Sequence, residues 1–446
     1  MKGALQQFIR RTASVCPICL GRLSADIVKI ENEYFINKEC PEHGPFSAVI
    51  WRGAPELESW GDGAPAKDGG SPHCPSACGL CASHLRKTCC ALVEVTSRCN
   101  LACPICFASA GSPDRKGRTD LEPTLGELSG IFLQLVAQGS TFVQLSGGEP
   151  TLREDLPEIV AAARKAGCES IQLNSNGLRL GQDPDFTRAL KEAGLSFVFM
   201  QFDGTEDAIH EKLRGRPLLS QKLAAIQVCG DLNLGVTLVP TVVPGVNDHN
   251  IGGITDFGLS QAPIVRGIHF QPVSYFGRYP TPPADRDRIT LPEVLSAIET
   301  QSGSRISLAD FAPSRCDHPQ CGFHGDFVVM PEGVMPLSSR SAPRSCCDAD
   351  AHLKNRNFVA RRWTRPDFRT SLCEKRLEPE GVDYRDLDIF LDRVRSHGFT
   401  ITAMAFQDAY TLDLERLRSC SLHVHRGGRM VPFCANYLTA CRGERG

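Results

Sequence analysis

The chain has no apolar run able to cross a bilayer: the longest, near Leu195 to Phe202, falls well short of the roughly 20 residues a spanning helix needs. It carries almost no net charge, −2 from 49 basic and 51 acidic side chains, so bulk attraction for nucleic acid or an anionic lipid surface is excluded. Met1 to Arg11 holds no apolar signal core, and nothing repeats at a solenoid period. With 446 residues, 41% apolar and 22% charged, the composition is that of a globular chain able to bury the cores of two or three units. Cysteine is the exception. There are 21, and with no signal for an oxidising compartment they read as metal ligands in a reducing cytoplasm rather than as disulfides.

Four stretches organise the chain. Residues 1–60 form a small cysteine-bearing metal module, and the Gly, Pro and Asp-rich run from Gly53 to Pro72 reads as a linker or long loop. Residues 61–90 hold a second cysteine cluster, 91–280 an alternating core, and 281–446 an irregular C-terminal domain with eight cysteines. In the core, strand-like runs near 91–97, 141–146, 170–174, 197–203, 234–242 and 265–273 alternate with helical patterns near 124–138, 154–166, 184–193, 217–230 and 249–261. That order predicts an α/β fold, a partial (β/α)6 barrel of the TIM type, with functional residues in loops at the carboxyl ends of its strands.

The first of those loops is the most telling. Cys99-Asn-Leu-Ala-Cys103-Pro-Ile-Cys106 follows the strand 91–97, and three thiolates so spaced can bind three irons of a four-iron cluster and leave the fourth open; a zinc knuckle or buried thiols are the alternatives. Roughly forty residues on, at the second strand's end, stands Ser146-Gly147-Gly148-Glu149-Pro150, where glycines let backbone approach a ligand. Asn174 and Asn176 end the third strand with amides suited to ribose hydroxyls. Asp203 lies at the end of the fourth, Thr241 and Asn247 after the fifth, and Gln271 at the sixth. Each loop alone is ordinary turn chemistry; six in order form a pattern.

Three further cysteine groups call for metal. Cys16-Pro-Ile-Cys19 and Cys40-Pro-Glu-His43 are two knuckles about twenty residues apart, suited to one tetrahedral ion: zinc with three sulfurs and His43, or a rubredoxin-like iron if another thiol replaces the imidazole. Cys74, Cys78 and Cys81 copy the spacing of the first loop and suit an auxiliary cluster, with a fourth ligand from Cys89, Cys90 or a distant thiol; zinc fits them too. In the C-terminal part Cys316, Cys346-Cys347 and Cys373 are scattered, and Cys321, Cys420 and Cys434 are the favoured ligands of one more cluster, against the alternative of buried thiols. Cys168 and Cys229 fall on predicted helices and read as packing, while His210, His249 and His269 read as structural.

Taken together the loops resemble the radical S-adenosylmethionine (radical SAM) superfamily. The resemblance implies that Cys99, Cys103 and Cys106 hold a [4Fe-4S] cluster and that S-adenosyl-L-methionine chelates its open iron. Gly147, Gly148, Glu149, Asn174, Asn176, Asp203, Thr241, Asn247 and Gln271 would contribute to nucleotide binding. It further implies reductive cleavage to a 5′-deoxyadenosyl radical that abstracts hydrogen, fed by a low-potential donor such as flavodoxin or ferredoxin. The opening Cys-Pro-Ile-Cys-Leu, the Cys74-to-Cys81 block, Gln201-Phe-Asp-Gly, the Val239-to-Asp248 loop, Gln271-Pro-Val-Ser and Pro432-Phe-Cys434 resemble more narrowly the tetraether lipid synthase and class D radical SAM methyltransferase group. That group implies auxiliary [4Fe-4S] clusters, one mononuclear zinc or iron, and the joining of carbon centres. Ser338 to Pro366 has no counterpart in it.

The leading expectation is therefore a radical SAM enzyme forming a carbon-carbon bond on a lipid-like substrate. A methyltransferase acting on a pterin-like heterocycle is the alternative; a peptide-modifying enzyme and a non-catalytic iron-sulfur carrier are more distant ones. A lipid demands a long apolar tunnel, and a heterocycle a compact cavity with hydrogen-bond partners.

Overall fold

A computed structural model describes residues 6–61, 74–75, 78–110, 122–337 and 385–441. Strands β1 (Gln6–Val15), β2 (Arg22–Ile30), β3 (Glu33–Cys40) and β4 (Gly44–Arg52) form an antiparallel meander in chain order. Each turn reverses the chain, so the first and third turns fall at the same end and bring the two cysteine knuckles side by side. Along β3 the alternate residues Tyr34, Ile36, Lys38 and Cys40 are buried. Lys38 is a cation among them. Its Nζ donates to Ser14 Oγ (2.9 Å) and to the carbonyls of Ala409 and Tyr410 (both 2.8 Å), which fastens this module to the C-terminal segment.

The core strands are β5 (Cys90–Thr96), β6 (Phe142–Gly147), β7 (Ser170–Ser175), β8 (Phe197–Gln201), β9 (Gly235–Val239) and β11 (Val265–Pro272), parallel neighbours in that order, with β10 (Thr241–Val242) pairing β11. Continuous apolar runs such as Ala91-Leu92-Val93 are buried, as strands covered on both faces require. Helices Leu125–Ala137, Leu156–Ala166, Pro184–Glu192, Leu219–Asp231 and Ile251–Ser260 stand between them, close to the expected bounds. Local signals set their ends. Thr124 and Glu127 form a reciprocal capping box at the start of the first, and Gly167 ends the second in a left-handed conformation (φ 103°).

The C-terminal segment does more than follow the core. Strand β15 (Gly398–Met404) pairs parallel with β11, and β16 (Leu422–Arg426) pairs parallel with β5, so eight parallel strands lie side by side. Strands β13 (Gly322–Met330) and β17 (Arg429–Pro432) flank them antiparallel, with β12 (Ala312–Pro313) and β14 (Gly333–Pro336) on β13. The six expected strands are thus the middle of a wider partial barrel. The extension escaped the sequence because β15 finds its partner more than a hundred residues away, and no local pattern names that edge. Among the described residues no helix is long and apolar enough to cross a membrane.

Candidate active site

Strand β5 delivers the Cys99–Cys106 loop to the carboxyl edge of the sheet, and four sets of contacts fix it there. The first is backbone to backbone: Gly148 N donates to Thr96 O (2.8 Å) and Glu149 N to Arg98 O (2.7 Å). A Cβ on Gly147 (φ 130°) would lie 2.0 Å from Thr96 O, and one on Gly148 2.0 Å from Arg98 O. No side chain fits at either position. The glycines therefore admit the neighbouring loop's backbone, beyond any approach to a ligand.

The second set runs through Glu149. Its Oε1 accepts from Thr151 Oγ1 (2.7 Å), Ser175 Oγ (2.8 Å) and Thr151 N (3.2 Å), and its Oε2 from Asn176 N (2.7 Å). The carboxylate joins the ends of β6 and β7. Asn176 extends this into the cysteine loop, where its Nδ2 donates to Asn100 Oδ1 (2.7 Å).

Arg278 makes the third. Its guanidinium donates to Cys103 O from Nε (3.0 Å) and Nη2 (2.8 Å) and to Ala110 O from Nη1 (3.1 Å), while its backbone exchanges hydrogen bonds with Cys106. The fourth is aromatic: Phe107 sits edge-on to Tyr437 (4.9 Å between centroids), whose hydroxyl donates to Glu94 Oε1 (2.8 Å).

Behind the loop lies a buried charge pair. Asp203 is fully buried and receives Arg214 through Nε (2.7 Å) and Nη2 (2.6 Å). Asn247 Nδ2 donates to the carbonyls of Asp203 and Thr241 (both 2.8 Å) and holds that turn. Burial alone would push the Asp203 carboxyl up, but Arg214 holds it below its ordinary value. Cys103 stands near Arg214 on the cavity wall. Lys222, fully buried beside them, donates to Asn176 O, and burial lowers its pKa to about 8. Sequence reasoning missed Arg214 and Lys222, because a basic residue on a helix ordinarily points to solvent, and Arg278, because it stands in a loop far along the chain from the cysteines it holds.

These elements wall a cavity of about 370 Å³. Cys99, Cys103 and Cys106 line it with Gly147, Gly148, Glu149, Asn174, Asn176, Thr241, Gln271 and Arg214; Asp203 and Asn247 stand behind the wall. His269, expected to be structural, lines the cavity and pairs through Nδ1 with Thr402 Oγ1 (2.8 Å). Burial pushes the Cys99 thiol up to about 11, with Glu149 and the other two sulfurs adding to the effect.

Two family profiles match: the radical SAM superfamily over residues 93–258, and the HMPTM N-terminal zinc ribbon domain over residues 8–52. A 7,8-dihydro-6-hydroxymethylpterin dimethyltransferase of Methanocaldococcus jannaschii is 32% identical across 98% of this chain and 94% of its own. The chain belongs to the radical SAM superfamily. Other relatives match a shorter part. Fe-coproporphyrin III synthase of Methanosarcina barkeri is 32% identical over 42% of this chain and 44% of its own. GTP 3′,8-cyclase of Edwardsiella ictaluri is 31% identical over 36% and 48%.

A radical SAM enzyme needs a [4Fe-4S] cluster and S-adenosylmethionine, and the residues present fit both. The cavity offers a thiol tripod with bare glycine backbone beside it, and polar side chains of Asn174, Thr241 and Gln271 on the same lining. In the zinc-ribbon region the ligand atoms of Cys16, Cys19, Cys40 and His43 all lie within 4.8 Å of one another, a group with the donor set of one tetrahedral ion. The hydrogen bond from His43 lowers the Cys40 thiol to about 7. Cys74, Cys78 and Cys81 stand near one another; neither they nor Cys99, Cys103 and Cys106 converge within the 4.8 Å of the ribbon ligands, a reach that suits a single ion. Cys321, Cys420 and Cys434 surround one small hollow with Asp317 and Arg416, and Arg416 Nη2 lies 3.5 Å from Cys321 Sγ. Cys346, Cys347 and Cys373 lie outside the described residues.

Proposed function

We propose that this radical SAM enzyme transfers one-carbon units to a carbon of a pterin-like heterocycle. The observation that carries the reading is the cavity: it is compact, and carboxamides of Gln144, Gln172, Asn174, Gln201 and Gln271 line it. At about 370 Å³ it stands near the lower end of ligand pockets, yet must admit both a nucleotide and a substrate. That favours a small polar ring over the lipid-like chain of a tetraether synthase. The near full-length likeness to a pterin dimethyltransferase supports the same choice.

In this reading Cys99, Cys103 and Cys106 hold the cluster, and Gly147, Gly148, Asn174, Thr241 and Gln271 hold the nucleotide. Glu149, Asn176, Asp203, Asn247 and Arg278 keep those groups in place. The bound cofactors supply one-electron cleavage of a sulfonium to a carbon radical able to abstract hydrogen. Arg214, paired with Asp203, would hold the wall beside the nucleotide, and the barrel would keep the reacting carbons away from water. Cys74, Cys78 and Cys81 are assigned to one auxiliary cluster and Cys321, Cys420 and Cys434 to another. The ribbon takes a zinc or an iron, and a flavodoxin or ferredoxin in the cytoplasm is the electron source.

Reconstituted protein, incubated without oxygen with dithionite, 6-hydroxymethyl-7,8-dihydropterin and excess S-adenosylmethionine, one molecule as radical source and a second as methyl donor, is expected to yield 5′-deoxyadenosine, S-adenosylhomocysteine and a pterin heavier by a methylene unit. Deoxyadenosine without any change in the pterin would count against the substrate. No deoxyadenosine at all would count against the chemistry.

A further inference from the structure

A carboxylate on the border between the Cys321, Cys420 and Cys434 hollow and the cavity is given no role above. Asp317, 7% exposed, lines both; its Oδ1 accepts from Ser421 N (2.7 Å) and Ser421 Oγ (2.9 Å), and its Oδ2 accepts no hydrogen bond from any described residue. The other carboxylate among the described lining residues, Glu149, is engaged at both oxygens. Three carboxamides on the same wall are wired in series. Gln144 Nε2 donates to Gln172 Oε1 (3.3 Å) and Gln172 Nε2 to Asn174 Oδ1 (2.6 Å), so each amide fixes the orientation of the next. Phe142 and Phe199 supply flat apolar surface beside them.

We propose that Asp317 is the specificity-determining residue that reads the donor edge of the ring, accepting from a ring N–H and its neighbouring exocyclic amine. The inference rests on the pterin-like reading above. Ser421 anchors one oxygen and so fixes the plane of the carboxylate, leaving the second as a directional acceptor in a cavity poor in acceptors of full charge. A buried acceptor left without a partner is a cost that a ligand offering donors offsets and one offering only acceptors does not. A site built this way rejects an analogue that lacks the donors, because the buried acceptor is then left unpaired.

The test compares two ligands on reconstituted holoenzyme by anaerobic equilibrium binding: 6-hydroxymethylpterin, and its lumazine counterpart in which an oxo group replaces the exocyclic amine. The wild type is expected to prefer the amine by roughly 10- to 100-fold. Asp317→Asn, whose amide can donate to the oxo group, is expected to lose most of that preference and gain affinity for the lumazine. A merely structural role would weaken both ligands alike. Iron content and melting temperature report whether the variant is folded, and the wild-type comparison needs no variant. Equal affinity of the wild type for the two compounds, or an unchanged preference in a folded Asp317→Asn, overturns the proposal alone. Binding of neither compound by the wild type overturns the pterin-like reading and the proposal with it.

Discussion

The ribbon and the barrel each gather cysteines, by opposite means. In the ribbon, two hairpin turns of one small meander suffice, and four ligand atoms converge within 4.8 Å. In the barrel, the three sulfurs are held by groups from β6, β7, the segment after β11 and the C-terminal tail, among them Gly148, Asn176, Arg278 and Tyr437. A locally built site is closed, with its four donors saturating one ion. A site assembled from distant parts can leave one position open, and here the three cysteines line a cavity. The difference separates a structural metal from a reactive one.

The strongest way to break the comparison is to remove the charge behind the barrel site. Asp203→Ala leaves Arg214 buried without its partner, a loss of about 3–5 kcal/mol of stability in anaerobic denaturant titration. A loss below about 1 kcal/mol would mean that Arg214 finds another partner, and that the pair does not shape the site. Next in size is Gly148→Ala. Its Cβ would meet Arg98 O at 2.0 Å, for about 1–3 kcal/mol and a displaced cysteine loop. Metal analysis should then show iron lost from the barrel while the ribbon keeps its ion.

Lys222 gives a smaller, pH-dependent effect. Its pKa in the fold is lowered to about 8. Between there and its unfolded value of roughly 10.4 the unfolded chain holds more protons. Stability therefore rises with pH across that window, by at most about 1.4 kcal/mol per unit, and the penalty is constant below it. Lys222→Met should flatten that slope in denaturant titrations run from pH 7 to 10; an unchanged slope would show the amine already protonated at no cost. The smallest effect on the barrel is expected from Cys40→Ser. It should empty the ribbon and leave the visible absorption of the barrel cluster intact, and loss of both would show that the two sites are not independent.

Much of this was legible before any coordinates. Regular alternation of apolar strands and helices exposed the six core strands, because each such element satisfies its own period. Motif spacing exposed the cysteine loop and the glycine loop, because both functions need contiguous residues. What stayed hidden depends on contacts between distant residues. Arg214 and Lys222 look like surface cations until Asp203 and Asn176 are seen beside them. Arg278 acts on a loop more than a hundred residues earlier. The parallel strands β15 and β16 carry local strand character but no mark of the edges they extend. Glu149 and Asn247, chosen as nucleotide ligands, spend their hydrogen bonds on neighbouring turns.

The account stands on one iron of the Cys99, Cys103 and Cys106 cluster being open to the cavity. Low-temperature EPR of the dithionite-reduced protein, recorded with and without S-adenosylmethionine, tests this most directly. One cluster signal should shift on addition of the nucleotide, and that signal should be missing when the three cysteines are replaced by alanine. Signals that ignore the nucleotide, or a shift that survives loss of the three cysteines, would contradict it.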